Sequence, residues 1–149
     1  MASARHSHPL HSLHAYAELE YLLLGDLRDM LEQPFDDENA RWMLAVLDAL
    51  LDTLPREFAI EEDGGYLREV VDEHPHWEPE VARLREQHEM LLHSLRRLRM
   101  RVAWQAPFAV LAKDVRRELE KWIETLAEHN RHENSLVQTA MNLEVGTGD

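Results

Sequence analysis

Near the end of the chain, His129 and Glu133 stand four residues apart in Leu126-Ala-Glu-His-Asn-Arg-His-Glu-Asn-Ser-Leu136, inside a stripe that is otherwise apolar. Residues at this spacing on a helix point the same way, so the imidazole and the carboxylate can reach one cation together. Burying an ionised glutamate is costly unless a cation or hydrogen-bond donors compensate it. A second interruption follows Met43, Leu47, Leu50 and Leu54, where Glu57 and Glu61 continue the same face one turn apart. Two lone histidines complete the pattern. His14 lies in the stripe Leu10, His14, Ala17, Tyr21, Leu24, Leu27, Leu31, and His88 in the stripe Val81, Leu84, His88, Leu91, Leu95, Leu98, Val102. The candidate ligands are therefore His14, Glu57, Glu61, His88, His129 and Glu133. Nitrogen and oxygen donors without sulfur suit iron or manganese, with zinc as an alternative. Carboxylates in mutual range cannot all stay ionised without cations, so two metals are expected to neutralise them.

Four long helices must position these side chains. The first is predicted from Pro9 or Leu10 to about Glu32, and Gln33-Pro-Phe-Asp-Asp37 breaks it, with Asp37 as the N-cap of the next. The second carries Met43 to Glu61; Pro55 predicts a kink or a restart just before Glu57, and Gly64-Gly65 ends the element. Tyr66 to His74 reads as a short connecting helix before a Pro75 turn. The third helix starts near Pro79 and runs to about Trp104, and the fourth runs from about Val110 to Leu143. The stripe of this last helix is Leu111, Val115, Leu119, Trp122, Leu126, His129, Glu133, Leu136, Ala140 and Leu143. Short connections reverse direction, so the expected fold is all-α: an antiparallel up-down four-helix bundle with a short extra helix between the second and third long helices. At about 1.5 Å per residue, the ligands of each helical hairpin fall at similar heights. His93 shares a face with Glu89, Arg96 and Arg97 and is expected in solvent.

Composition narrows the function classes. The 149 residues suit a single domain over 1–149, with its core at about 10–143 and flexible tails at 1–8 and 144–149. A formal net charge of −13 argues against nucleic acid and anionic membranes as partners and suits a protein that handles cations. The absence of cysteine removes disulfides, thiolate metal sites and thiol nucleophiles together. No signal-like or membrane-spanning apolar run occurs, and a cytoplasmic location is the expectation.

These residues resemble the hemerythrin-like (HHE cation-binding) family, a four-helix bundle with a core histidine on its first and third helices and HxxxE on its second and fourth. The resemblance covers about Leu10 to Leu143. His14 matches the first-helix histidine and His88 the third, and His129-Asn-Arg-His-Glu133 is an intact HxxxE. In the second helix Glu57-Phe-Ala-Ile-Glu61 keeps the glutamate and replaces the histidine with Glu57, with Glu62 placed to substitute or assist. The resemblance implies two iron ions, with manganese or zinc as alternatives, bridged by oxide or hydroxide. It implies small-molecule partners such as O2, peroxide or NO. Oxygen-carrying hemerythrins use more histidine than this chain offers, and Leu92 stands where a second third-helix histidine would lie. The oxygen-rich donor set implies reaction with, or sensing of, O2, peroxide, NO, iron or redox state in place of reversible carriage. Glu18 and Tyr21, beside His14, are candidates to orient that imidazole, bind the metal or donate to a bound species. The contrasting reading is a structural or regulatory helical bundle with a degenerate site for one metal or none.

Overall fold

A computed structural model describes the backbone of residues 9–64 and 66–147 and the side chains of 12–63 and 66–142. Five α-helices make up the fold: α1 (Pro9–Leu31), α2 (Asp37–Ala59), α3 (Tyr66–Glu73), α4 (Glu78–Gln105) and α5 (Lys113–Thr147). A π-helical turn, Ile60–Gly64, extends α2, and 3-10 turns precede and follow α4 at Pro75–Trp77 and Ala106–Phe108. There is no strand among the described residues, and no helix is long and apolar enough to cross a membrane.

Local chemistry explains where the long helices begin and end. Asp36, extended at φ −95° and ψ −176°, caps α2 by accepting from the Asn39 backbone N–H at 2.8 Å. Asp37, the expected cap, is instead the first helical residue, where its charge complements the helix N-terminus. Asn39 donates from Nδ2 to the Met30 carbonyl at 3.2 Å, satisfying one of the carbonyls that the end of α1 leaves without an intrahelical donor. No break occurs at Pro55: α2 continues through it to Ala59, and the irregularity falls later, in the π turn. At the other end of the chain α5 continues to Thr147, so residues 144–147 are helical where a tail was expected. The tail segments 1–8 and 148–149, and Gly65, lie outside the described residues.

Each of α1/α2, α2/α4 and α4/α5 packs together, and α1 also meets α5. Asp48 of α2 pairs with Arg99 of α4 at 2.9 Å, and Glu61 of the π turn approaches His88 of α4 at 3.3 Å. Between α4 and α5, Arg101 pairs with Asp114 at 2.7 Å, the Trp122 indole donates to the Leu91 carbonyl at 2.9 Å, and His129 meets Gln87 at 2.7 Å.

The interior has three layers. A large apolar cluster holds Leu24, Leu27, Met43, Leu47, Leu50, Leu54, Phe58, Leu91, Leu95, Leu98, Leu119, Trp122 and Leu126 among its members. A smaller one holds Leu67 and Val70 of α3, Val81 and Leu84 of α4, and Leu136 and Ala140 of α5. Along α4 the residue between the clusters is His88, and along α5 the residues between them are His129 and Glu133. The predicted stripes of α4 and α5 are buried as read, for every position whose side chain is described.

The outer half of α1 departs from its expected stripe. Leu13, Glu20, Leu24, Leu27 and Leu31 face the core, whereas His14, Ala17 and Tyr21 are exposed. Leu24 can be continued backwards by a step of three to Tyr21 or four to Glu20, and the choice by apolarity is the wrong one here. Replacing Leu95, fully buried, with alanine should cost about 2–5 kcal/mol in denaturant unfolding. Tyr21→Ala, with Tyr21 75% exposed, should change stability by less than about 0.5 kcal/mol, which checks the helix face directly.

Candidate metal centre

The polar layer is assembled from all four long helices. α1 supplies Glu20, α2 supplies Glu57, and the π turn that follows supplies Glu61 and Glu62. α4 supplies His88, and α5 supplies His129 and Glu133. Glu20, Glu57, Glu61, His88, His129 and Glu133 are each less than 9% exposed. A π turn fits one more residue into a helical turn than the α-helix does. Its consequence is visible at His88: Glu61 faces Nε2 at 3.3 Å while the adjacent Glu62 meets Nδ1 at 3.1 Å.

The two imidazoles converge on one carboxylate. Glu133 Oε2 lies 3.1 Å from His129 Nε2 and 3.6 Å from His88 Nε2. One ligand atom from each of His88, His129 and Glu133 fits within a 4.8 Å span, a separation that a single cation can bridge. The rings are held from behind. His129 Nδ1 is 2.7 Å from Gln87 Oε1, and His88 Nδ1 is 3.1 Å from Glu62 Oε2. Each Nδ1 is thus engaged by an oxygen, and Nε2 is the ring nitrogen that faces the Glu61 and Glu133 carboxylates. Phe58 stacks on the His88 ring, centroids 3.9 Å apart and planes 5° apart, which removes its remaining rotational freedom.

Six buried atoms in this layer have no hydrogen-bond partner: Glu20 Oε1, Glu57 Oε2, Glu61 Oε2, His88 Nε2, His129 Nε2 and Glu133 Oε2. Four of them face one another as His–Glu contacts, and the group formed by His88, His129 and Glu133 could hold a metal ion. Four carboxylate charges balance two divalent ions, and the imidazoles add no charge of their own.

Without cations the layer must hold protons. Burial pushes Glu57 up to about 9, and the neighbouring charges of Glu20 and Glu61 add to the effect. Burial likewise raises Glu61 to about 8 and moves Glu20 upward. His88 rises to about 10 in spite of its burial, because Glu133 and Glu61 face it. Glu133 falls to about 2 in spite of its burial, because His129 and His88 face it.

Of the residues expected from sequence, the structure brings Glu57, Glu61, His88, His129 and Glu133 together, with Glu62 at their edge. His14 is elsewhere. Its side chain is 75% exposed and pairs with Glu18 at 3.1 Å on the outer face of α1, and Tyr21 shares that exposed face, so none of the three reaches the layer. The α1 contribution is Glu20, whose Oε2 accepts from Asn130 Nδ2 at 2.9 Å. Glu20 is legible as the four-residue step back from Leu24. Gln87 and Asn130 carry no sequence signal beyond adjacency to His88 and His129.

The proton inventory predicts a pH dependence. Glu57, Glu61 and His88 bind protons more tightly in the fold than in the unfolded chain. Their stabilisation is complete below the unfolded values and is lost as pH climbs toward about 8–10. Glu133 has the opposite sign and acts only in acid, fading as pH falls toward about 2. Chelator-treated protein should therefore melt at least a few degrees lower at about pH 9 than at about pH 6, since about 1 kcal/mol moves the midpoint by about 2–4 °C in a domain of this size. A midpoint that rises over the same interval would contradict the proton assignment. Compared with protein-family models, curated proteins and solved structures, the chain matches none.

Proposed function

We propose that the chain is a hemerythrin-like, non-haem di-metal protein whose polar layer holds two iron ions, with manganese or zinc as alternatives. The bundle is a single up-down antiparallel domain, with α3 as the short extra helix between α2 and α4. The reversed order of partners supports this topology: Asp48 on α2 and Glu61 on its π-turn extension meet Arg99 and His88 on α4, and Gln87 and Arg101 on α4 meet His129 and Asp114 on α5.

The observation that carries the metal reading is the pair of buried imidazoles, each with Nδ1 engaged by an oxygen and Nε2 directed at carboxylates, Glu61 and Glu133 for His88 and Glu133 for His129. A histidine kept only for packing needs no such arrangement. Bound iron would supply one-electron chemistry toward a small oxidant such as O2, peroxide or NO. The chain's own residues orient the imidazoles through Glu62 and Gln87, hold the carboxylates in a dry layer, and exclude water with Phe58 and the apolar clusters on either side. Four carboxylates and two imidazoles favour the ferric state, so the reading is reaction or sensing in the cytoplasm, not reversible oxygen carriage. The donor composition matches that of di-iron carboxylate bundles, although the Glu-x-x-His spacing of that group is absent from the long helices.

Protein produced in iron-rich medium should contain about two irons per chain and show near-ultraviolet charge-transfer absorption of ferric iron. His88→Ala, His129→Ala and Glu133→Ala should each lose most of the metal, by about 10–100-fold or more in affinity, while His14→Ala and His93→Ala retain it. Equal metal content in all five variants would reject the site. A wild-type chain that purifies metal-free from iron-rich medium would favour a structural or regulatory bundle instead.

A further inference from the structure

Between α4 and α5 runs a groove of about 760 Å3. That volume lies inside the range of small-molecule pockets, about 300–1,000 Å3. Its floor is apolar: Leu91 and Leu98 of α4 and Trp122 of α5 line it, each at most 4% exposed. The Trp122 indole donates to the Leu91 carbonyl at 2.9 Å, which fixes the ring. Met90, 68% exposed, stands on the rim, where its unbranched thioether adapts to the shape of a guest. One end of the groove is closed by Gln87 and by His129, whose Nδ1 is 2.7 Å from Gln87 Oε1.

The two ends differ in charge. At about 1.5 Å per residue, Arg97 lies about 15 Å along α4 from Gln87, and Lys121 about 12 Å along α5 from His129. The Gln87–His129 and Leu91–Trp122 bonds run in opposite senses along the two helices, so Arg97 and Lys121 share the end remote from His129. The acid at that end, Glu118, is taken by Arg101 at 2.8 Å. Arg97 and Lys121 are exposed, and among the described residues neither has an acidic partner. At the His129 end Glu86 and Glu128 line the groove, and Arg83 there pairs with Glu80 at 3.4 Å. In a chain of net charge −13, a local field that attracts anions is confined to one end of an apolar trough.

We propose that the α4/α5 groove binds an organic anion of the aromatic carboxylate class. The carboxylate meets Arg97 and Lys121, the flat body lies on Leu91, Leu98 and Trp122, and the far end rests against Gln87 and His129. Arg97 supplies a planar fork and Lys121 a point charge, while Glu86 and Glu128 repel the reversed orientation. The site does not depend on the polar layer holding metal, and an occupant's far end lies beside the imidazole that Gln87 engages.

Full-length protein is titrated calorimetrically with a biphenyl carboxylate and with the neutral biphenyl carboxamide. The expected result is one site that prefers the carboxylate by about fivefold or more, a difference suited to two exposed cations. The Arg97→Gln/Lys121→Gln pair should abolish that preference and change carboxamide binding by less than about twofold. Thr125→Trp, an exposed position on the groove wall, should weaken both ligands by about tenfold or more. All of these positions are outside the buried core, and circular dichroism with a melting curve checks the fold. The ring signals of His129 and His132, both on the groove, should move in the nuclear magnetic resonance spectrum on binding, while those of His14 and His76 stay in place.

Equal binding of the two ligands, or a preference that survives loss of both cations, would overturn the anion assignment. No binding, or binding that leaves His129 and His132 unmoved, would overturn the groove as the site. A chain that is dimeric in sedimentation and becomes monomeric in Thr125→Trp would assign the groove to a second copy instead. A metal-free chain that still binds the carboxylate with these signatures would remove the metal centre and leave the groove standing.

Discussion

Four carboxyl groups and two imidazoles share one layer of the interior, and among the described residues no lysine or arginine is buried with them. Like charges at this range cannot coexist in a medium that solvates them poorly, so the layer holds either protons or cations. The structure is arranged around that demand. A protonated layer explains why Glu57 and Glu61 rise while Glu133, pressed between two imidazoles, falls. The same layer engages Nδ1 at both rings, stacks Phe58 on His88 and brings His88, His129 and Glu133 into a group that could hold a metal.

The apolar clusters on either side give the layer its low dielectric and its rigidity. The larger cluster ends at Phe58, Leu91 and Leu126, and the smaller begins at Leu84 and Leu136. Cations held between two packed cores lose water and gain fixed donors, and each lost donor is felt because nothing mobile can replace it. The π turn carries both glutamates that meet His88. Here Glu61 and Glu62 address opposite nitrogens of His88.

Much of this was legible in the sequence, and the part that was not has a physical reason. The stripes of α4 and α5 are regular because apolar residues flank His88, His129 and Glu133 closely on both sides, which fixes their face. Glu57 and Glu61 continued the ridge of Leu47, Leu50 and Leu54 in the same way. α1 failed where it meets the polar layer. Hydrophobic patterning assumes an apolar interior, so it favoured Tyr21 over Glu20 at the height where the interior is polar. The height estimate compounded the error, placing His14 opposite Glu57 when the carboxyl that meets Glu57 lies six residues further on, about 9 Å along the helix. The resemblance drew the eye to a first-helix histidine, and the structure gives that helix a carboxylate. Pro55 misled in another way: α2 absorbs it, and the departure from α geometry appears at the acidic turn beyond it.

The donors are unevenly placed, with both imidazoles on α4 and α5 and carboxyl groups alone on α1 and α2. The most direct measurement of the account is a crystal of the protein grown with iron and recorded at the iron absorption edge. The account predicts anomalous density in the layer between the apolar clusters, beside the Nε2 atoms of His88 and His129 and the Glu133 carboxylate. A well-ordered bundle with no anomalous peak in that layer, or with iron only on its acidic surface, would contradict it.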